Sequence, residues 1–197
     1  MIIASLAVSI ATALIELFTR NRGVIIVSYG FVIPLLILLP RFFYNFDAKI
    51  KKTVKAEWMK KIEYFGFFIV VSNAPGSLIL HELGFQYDRF LHFAAAFFSL
   101  IIFLLLWLPI IKISGEKVKK RNLLLYLFAI LFVALFLWEM LQYNIDQLFG
   151  TKLFFDAKQE IKIDFLEDIF FGTCGLLAAV IYVNFSLKKF LGLLIST

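Results

Sequence analysis

Long apolar runs separated by short polar clusters set the pattern of the chain. A helix crossing a bilayer needs about 20 apolar residues, in a range of roughly 17–25. Six stretches answer to this: Met1–Phe18, Val24–Leu39, Ile62–Leu80, Phe90–Ile111, Leu123–Tyr143 and Phe165–Leu187. The second is short and is expected to end at Pro40, because proline removes a backbone donor and clashes with the preceding turn. The first run continues past Ala11-Thr12-Ala13 and has no basic segment before it, so it reads as an uncleaved helix rather than a signal peptide. No Ser/Gly-rich linker or internal repeat interrupts the series. The pattern predicts an all-α integral membrane bundle of about six transmembrane helices, forming one polytopic domain over residues 1–197.

Composition narrows the class further. Of 197 residues, 62% are hydrophobic and 17% charged, and the mean hydropathy is +0.91. A soluble domain runs at roughly half apolar and a quarter charged. The excess excludes a soluble globular domain, a disordered chain and a nucleic-acid-binding protein. Membrane lipids are the partners it points to. Cys174 is the one cysteine, so no intramolecular disulfide forms.

Basic residues orient the bundle, since Lys and Arg accumulate in cytoplasmic loops. Counted over alternate loops and the tail, 14 of the 20 fall on one side, most of them between Arg41 and Lys61 and between Lys112 and Arg121. Both termini are therefore expected in the cytoplasm of a multi-pass cell-membrane protein. Trp58 and Trp107 would then lie near the inner interface and Trp138 near the outer one.

The acids sort the opposite way. Nine of the 14 (Glu82, Asp88, Glu139, Asp146, Asp156, Glu160, Asp164, Glu167 and Asp168) lie in the outer loops or the adjoining helix ends, as do both histidines, His81 and His92. Glu16 lies inside the first span. An ionisable group within a span costs a few kcal/mol on insertion scales and so points to function. Asp88 and His92 are four residues apart on one helical face, although an acid at a helix start is also a favourable cap. Glu139, Gln142, Tyr143 and Asp146 form a stripe at the outer end of the fifth span. Glu139 is embedded and needs a proton or a partner, Arg89 or His92 being at the same depth. Asp156, Glu160, Asp164 and Asp168 step by four along one face, which is either a solvated side or a crowded acidic site. In the third span, Ser72-Asn73-Ala74-Pro75-Gly76 is expected to break the helix, as tolerated where backbone lines a cavity.

These positions predict an outward-opening polar cavity. Asp88, His92, Glu139 and Asp168 are its candidate catalytic residues, and Arg89, Gln142, Asn73 and Asp164 its candidate substrate-binding residues. Carboxylates with an imidazole suit a divalent cation, which could activate water against a lipid phosphate or ester. No HExxH, phosphate-binding loop or GxSxG motif is present. The leading expectation is a site that binds or modifies an envelope lipid or its head group. A small ion- or proton-coupled transporter and a structural partner of a membrane complex are the alternatives. The uncharged run Phe97–Pro109 offers no ion path and tilts the reading toward a one-sided site.

Several of these residues also form short motifs. Asp88-Arg89-Phe90-Leu91-His92 resembles the D-[KR]-x-x-H opening of VanZ-like membrane proteins, and Glu139-x-x-Gln142 is similar to their E-x-x-Q. Gly150-Thr151 followed by Phe155-Asp156-Ala157-Lys158 is closer to the YjdF (DUF2238) branch. Asp168, Gly172 and Gly175 stand near the family's D-x3-N-x2-G helix, with Asp168 where VanZ-like proteins carry Asn and a longer stretch after Asp156. The resemblance covers roughly residues 73–183. It implies an association with the cell envelope and favours Asp88, His92, Glu139, Gln142 and Asp168 as a shared site.

Overall fold

A computed structural model describes residues 1–19, 26–75, 87–115, 118–149 and 160–194. The described residues are almost entirely helical and contain no strand. The helices are α1 (Ile2–Thr19), a π-helical turn (Ser28–Val32) leading into α2 (Ile33–Phe46), α3 (Ala48–Thr53), α4 (Ala56–Pro75), α5 (Tyr87–Ser114), α6 (Lys120–Phe149) and α7 (Ile161–Leu194). Among the described residues, five segments are long and apolar enough to cross a membrane: Ile2–Thr19, Ser28–Phe46, Tyr87–Ser114, Lys120–Leu148 and Ile161–Leu187. The span expected at 62–80 corresponds to α4, which begins earlier and carries Glu57, Lys60, Lys61 and Glu63 in its first turns. Residues 76–80 lie outside the described residues.

One expectation about a helix break is corrected. The second span does not stop at Pro40: α2 continues to Phe46 with Pro40 inside it. Proline is tolerated in membrane helices when other groups satisfy the freed carbonyl. The stop is supplied instead by Asp47, whose carboxylate accepts from the Lys49 and Ile50 backbone N–H groups at 2.8 and 3.0 Å and so caps α3. The described part of α4 ends at Pro75, within the Ser72–Gly76 motif. It stays helical through Pro75, with the Ser72 hydroxyl and the Asn73 amide both donating to the Ile69 carbonyl at 3.0 and 2.8 Å. A proline at the last position costs only the final turn. Gly76 lies outside the described residues.

The chain divides into two compact units, one of Met1–Ala74, Ile102–Lys117 and Phe185–Thr197, the other of Pro75–Ile101 and Val118–Asn184. In the first unit, α1 turns a polar stripe inward. Ser5, Ser9, Thr12 and Glu16, at steps of three and four, are all buried, while Ile3, Ile10, Leu14 and Phe18 are exposed. The Ser9 hydroxyl donates to the Tyr29 carbonyl in the π-helical turn. Arg41 on α2 pairs with Glu63 on α4.

Trp58 is fully buried within the protein, while Trp107 and Trp138 are exposed. Its indole N–H donates to the Leu105 carbonyl at 2.8 Å. The reason lies four residues further along α5. Pro109 has no N–H to offer the Leu105 carbonyl, and Trp58 fills the gap. W58F should therefore destabilise the protein by about 1–3 kcal/mol, the cost of an unsatisfied buried acceptor. P109A restores a backbone donor, so the same substitution should cost clearly less in the P109A background. Denaturant unfolding in detergent of the four proteins measures this coupling. Equal losses in both backgrounds would separate Trp58 from the proline.

Candidate functional site

The second unit packs the first half of α5 against α6 and α7. Each helix contributes an inward stripe at steps of three and four. On α6 the buried positions are Leu124, Leu127 and Leu131, and the same face continues to Glu139 and Asp146, which are 2% and 5% exposed. On α7 they are Asp168, Leu176, Ala179 and Val183. The polar stripe read from the sequence on α6 is thus the continuation of an apolar packing face.

Two glycines on α7 set how closely the helices meet. A Cβ at Gly175 would stand 2.2 Å from the Phe93 carbonyl oxygen, so α7 lies directly on the backbone of α5. A Cβ at Gly172 would stand 2.5 Å from a methyl of Leu135 on α6. Small residues at membrane helix contacts permit such approach. Gly172 and Gly175 share a face with Asp168, one and two turns back along the helix. Their contacts bring that carboxylate to His92, one residue before Phe93, and to Glu139, four residues after Leu135.

The result is one imidazole ringed by three carboxylates from three helices. His92 Nε2 lies 3.6 Å from Asp88 Oδ1 and 3.3 Å from Asp168 Oδ1, while Nδ1 lies 3.5 Å from Glu139 Oε1. Glu139 Oε1 is buried with no hydrogen-bond partner. One ligand atom each from Asp88, His92 and Asp168 fall within 4.8 Å of one another. Beside them Arg89 donates twice to Glu167, through Nε at 2.9 Å and Nη2 at 2.6 Å, and its guanidinium lies 5.7 Å from the Phe171 ring centre. This bidentate pair ties α5 to α7 at the level of the cluster.

A narrow cleft adjoins the cluster, lined by Glu139, Gln142, Asp146, Asp164 and Asp168, with room for little more than one water-sized particle. An apolar groove of about 350 Å³ runs alongside, lined mainly by Phe136, Met140, Phe165 and Leu166, with Lys162 and Asn144 at its margin. Tyr143 and Phe165 line both spaces, their rings 5.4 Å apart. Carboxylates on both sides of an imidazole can move a proton through the ring or hold a cation.

Of the eight candidate residues, Asp88, His92, Glu139 and Asp168 come together, and Gln142 and Asp164 line the adjoining cleft. Of the two partners foreseen for Glu139, His92 takes the place beside it, and the ion pair described for Arg89 is with Glu167. Asn73 falls in the first unit, with its amide on Ile69. Glu167 and the buried Asp146 were not singled out as site residues. The spacing Asp146–Gln142–Glu139 carried a signal for Asp146, whereas nothing in the sequence paired Glu167 with Arg89. Of the acids at steps of four, Asp164 and Asp168 lie on α7 and Glu160 stands at its boundary. Glu160 is exposed and precedes the helix, its carbonyl accepting from the Asp164 N–H at 3.1 Å. His81, Glu82, Asp156 and the segment 150–158 lie outside the described residues.

An all-helical, multi-pass membrane protein with an acidic cluster buried at the ends of three apolar helices is the class that these features define. The chain belongs to the DUF2238 family of predicted membrane proteins, whose family model matches residues 1–189. No curated protein and no solved structure is significantly similar to it.

The two glycines make separable predictions. G175A forces a methyl against backbone that has no rotamer to change, so it should lower stability by about 1–3 kcal/mol. G172A meets only the end of Leu135, which can turn aside, and should cost less than about 1 kcal/mol. Thermal unfolding in detergent checks both, and a G175A protein as stable as the wild type would refute the backbone contact.

Proposed function

We propose that the acidic cleft takes the terminal ammonium of the head group of a zwitterionic phospholipid whose acyl chain lies in the adjoining groove. The observation that carries this reading is the shared wall of Tyr143 and Phe165 between a carboxylate-lined cleft and an apolar groove. The two halves match the two ends of an amphiphile. Phe136, Met140 and Leu166 are exposed on the surface of apolar helices, as a chain entering from the bilayer requires. Asp146 and Asp164 suit an ammonium group, and Lys162 at the groove margin suits the phosphate.

The orientation read from Lys and Arg puts this end of the helices on the outer side of the cell membrane, within reach of envelope lipids. A one-sided site is favoured over a conducting path by what lies beyond the cluster. No Asp, Glu, Lys, Arg or His occurs in Phe93–Ile111, Asn122–Trp138 or Ile169–Leu187, each long enough to cross most of the hydrocarbon core. Leu100, Ile101, Leu104 and Leu105 on α5 are fully buried.

Mass spectrometry of phospholipid retained by protein purified in mild detergent tests the reading. Met140→Trp and Leu166→Trp, which fill the groove, should each lower the retained lipid about tenfold, a loss near 1.4 kcal/mol. Phe170→Trp, on an exposed stretch of α7 outside the groove, should retain it. Phosphatidylethanolamine should be enriched over phosphatidylglycerol, and Asp164→Asn should erase that preference. Equal lipid in all variants would overturn the assignment.

A further inference from the structure

We infer that Asp88, His92 and Asp168 form a binding site for one divalent transition-metal ion, with Glu139 as the positioning carboxylate of the histidine ligand. The inference concerns the same cluster but stands without the lipid reading, because an ion can be bound with no lipid present.

The separations carry the first part of the argument. His92 Nε2 is 3.6 and 3.3 Å from the nearest oxygens of Asp88 and Asp168. These separations match the spacing of ligands around a shared ion, since tetrahedral bonds of about 2.0–2.2 Å put ligand atoms about 3.3–3.6 Å apart. The three ligand atoms all lie within 4.8 Å of one another.

The second, independent observation is Glu139. It is 2% exposed, its Oε1 has no hydrogen-bond partner, and that atom is 3.5 Å from the other ring nitrogen, Nδ1. A metal-bound histidine characteristically offers its second N–H to a carboxylate, which fixes the tautomer and aims the lone pair at the ion. Placed there, Glu139 takes the proton on Nδ1 and leaves Nε2 to the metal. Burying this carboxylate costs free energy that an ion on the far side of the ring offsets.

Charge and donor type agree. Two carboxylates and a neutral imidazole neutralise a dication, and one nitrogen with two oxygens suits Zn²⁺, Mn²⁺ or Fe²⁺ better than Ca²⁺. Three protein ligands leave a coordination position open, the pattern of catalytic rather than structural zinc. Asp168 also lines the cleft, so water or a phosphate oxygen could reach that position.

Purified protein in detergent, stripped with a chelator and desalted, is titrated with Zn²⁺ and separately with Co²⁺. Elemental analysis should give one equivalent per chain, and Co²⁺ should develop the visible absorption of a four-coordinate nitrogen–oxygen site. Asp168→Asn should lose the equivalent, with Asp88→Asn, on the more exposed first turn of α5, as the second variant should the first fail to fold. Glu139→Gln should still bind, but 10- to 100-fold more weakly. Asp146→Asn, which removes a buried carboxylate of the same cleft that is no ligand, should keep the ion at wild-type affinity. A wild-type protein that binds no stoichiometric ion, or an Asp146→Asn protein that loses it as fully as Asp168→Asn, would overturn the site. Lipid retention measured on the same preparations separates the two readings, because retained lipid without metal defeats only the metal site.

Discussion

The contact of Gly175 with the Phe93 carbonyl is the constraint on which the rest of the second unit depends. Between helices in lipid there is no hydrophobic driving force, because hydrocarbon is as apolar as leucine. Association must come from close packing and from polar links, and close packing requires that backbone meet backbone. A Cβ on residue 175 would stand 2.2 Å from the Phe93 oxygen. The absence of that one carbon fixes the distance and register of α7 on α5. Two turns toward the start of α7, Asp168 then meets His92, the residue that precedes Phe93. The Arg89–Glu167 pair holds the same two helices beside the cluster, so a backbone contact and a charged contact enforce one register.

That register is tied to a charge problem. Glu139, Asp146 and Asp168 are each at most 5% exposed on helices that must also be apolar enough to cross a membrane. Carboxylates buried without compensation are costly, and gathering them adds mutual repulsion that the imidazole, protons or a cation must offset. Gathering them at one end lets the rest of α5, α6 and α7 remain free of charge. The first unit follows the same rule in milder form. Ser5, Ser9, Thr12 and Glu16 face inward on α1 while its isoleucines and leucines face outward, reversing the arrangement of a soluble helix. In both units buried polar residues share a packing face with apolar ones.

This reversal explains what could be read from the sequence. Run length located the apolar helices, and steps of three and four placed Glu139, Gln142 and Asp146 on one face, because both depend only on helix geometry. The carboxylate–histidine cluster followed from depth alone, since Asp88, Glu139 and Asp168 all stand where apolar sequence begins or ends. Depth says nothing about azimuth or register between helices. Arg89 could face either Glu139 or Glu167, and the ion pair with Glu167 appears only once α7 is set against α5. Asn73 stood at the right depth, yet its amide is engaged with Ile69 of its own helix. Pro40 misled for a related reason: it looks like a stop when a helix is considered alone, but it lies inside α2. Pro109 likewise lies inside its helix. For Pro109 the unsatisfied carbonyl of Leu105 is met by Trp58, 47 residues earlier in the chain.

The two nitrogens of His92 give the cluster a direction. On the Nδ1 side stands Glu139, buried and held on a helix whose neighbouring turns are packed. On the Nε2 side stand Asp88, the most accessible of the three carboxylates at 18%, and Asp168, which reaches the cleft. Glu139 and Asp168 both line the cleft, so the ring meets that space through a carboxylate on each of its nitrogens. Tyr143 and Phe165 wall the cleft and also bound the apolar groove. A polar and an apolar space are thus adjacent, which is the arrangement the proposed lipid reading requires.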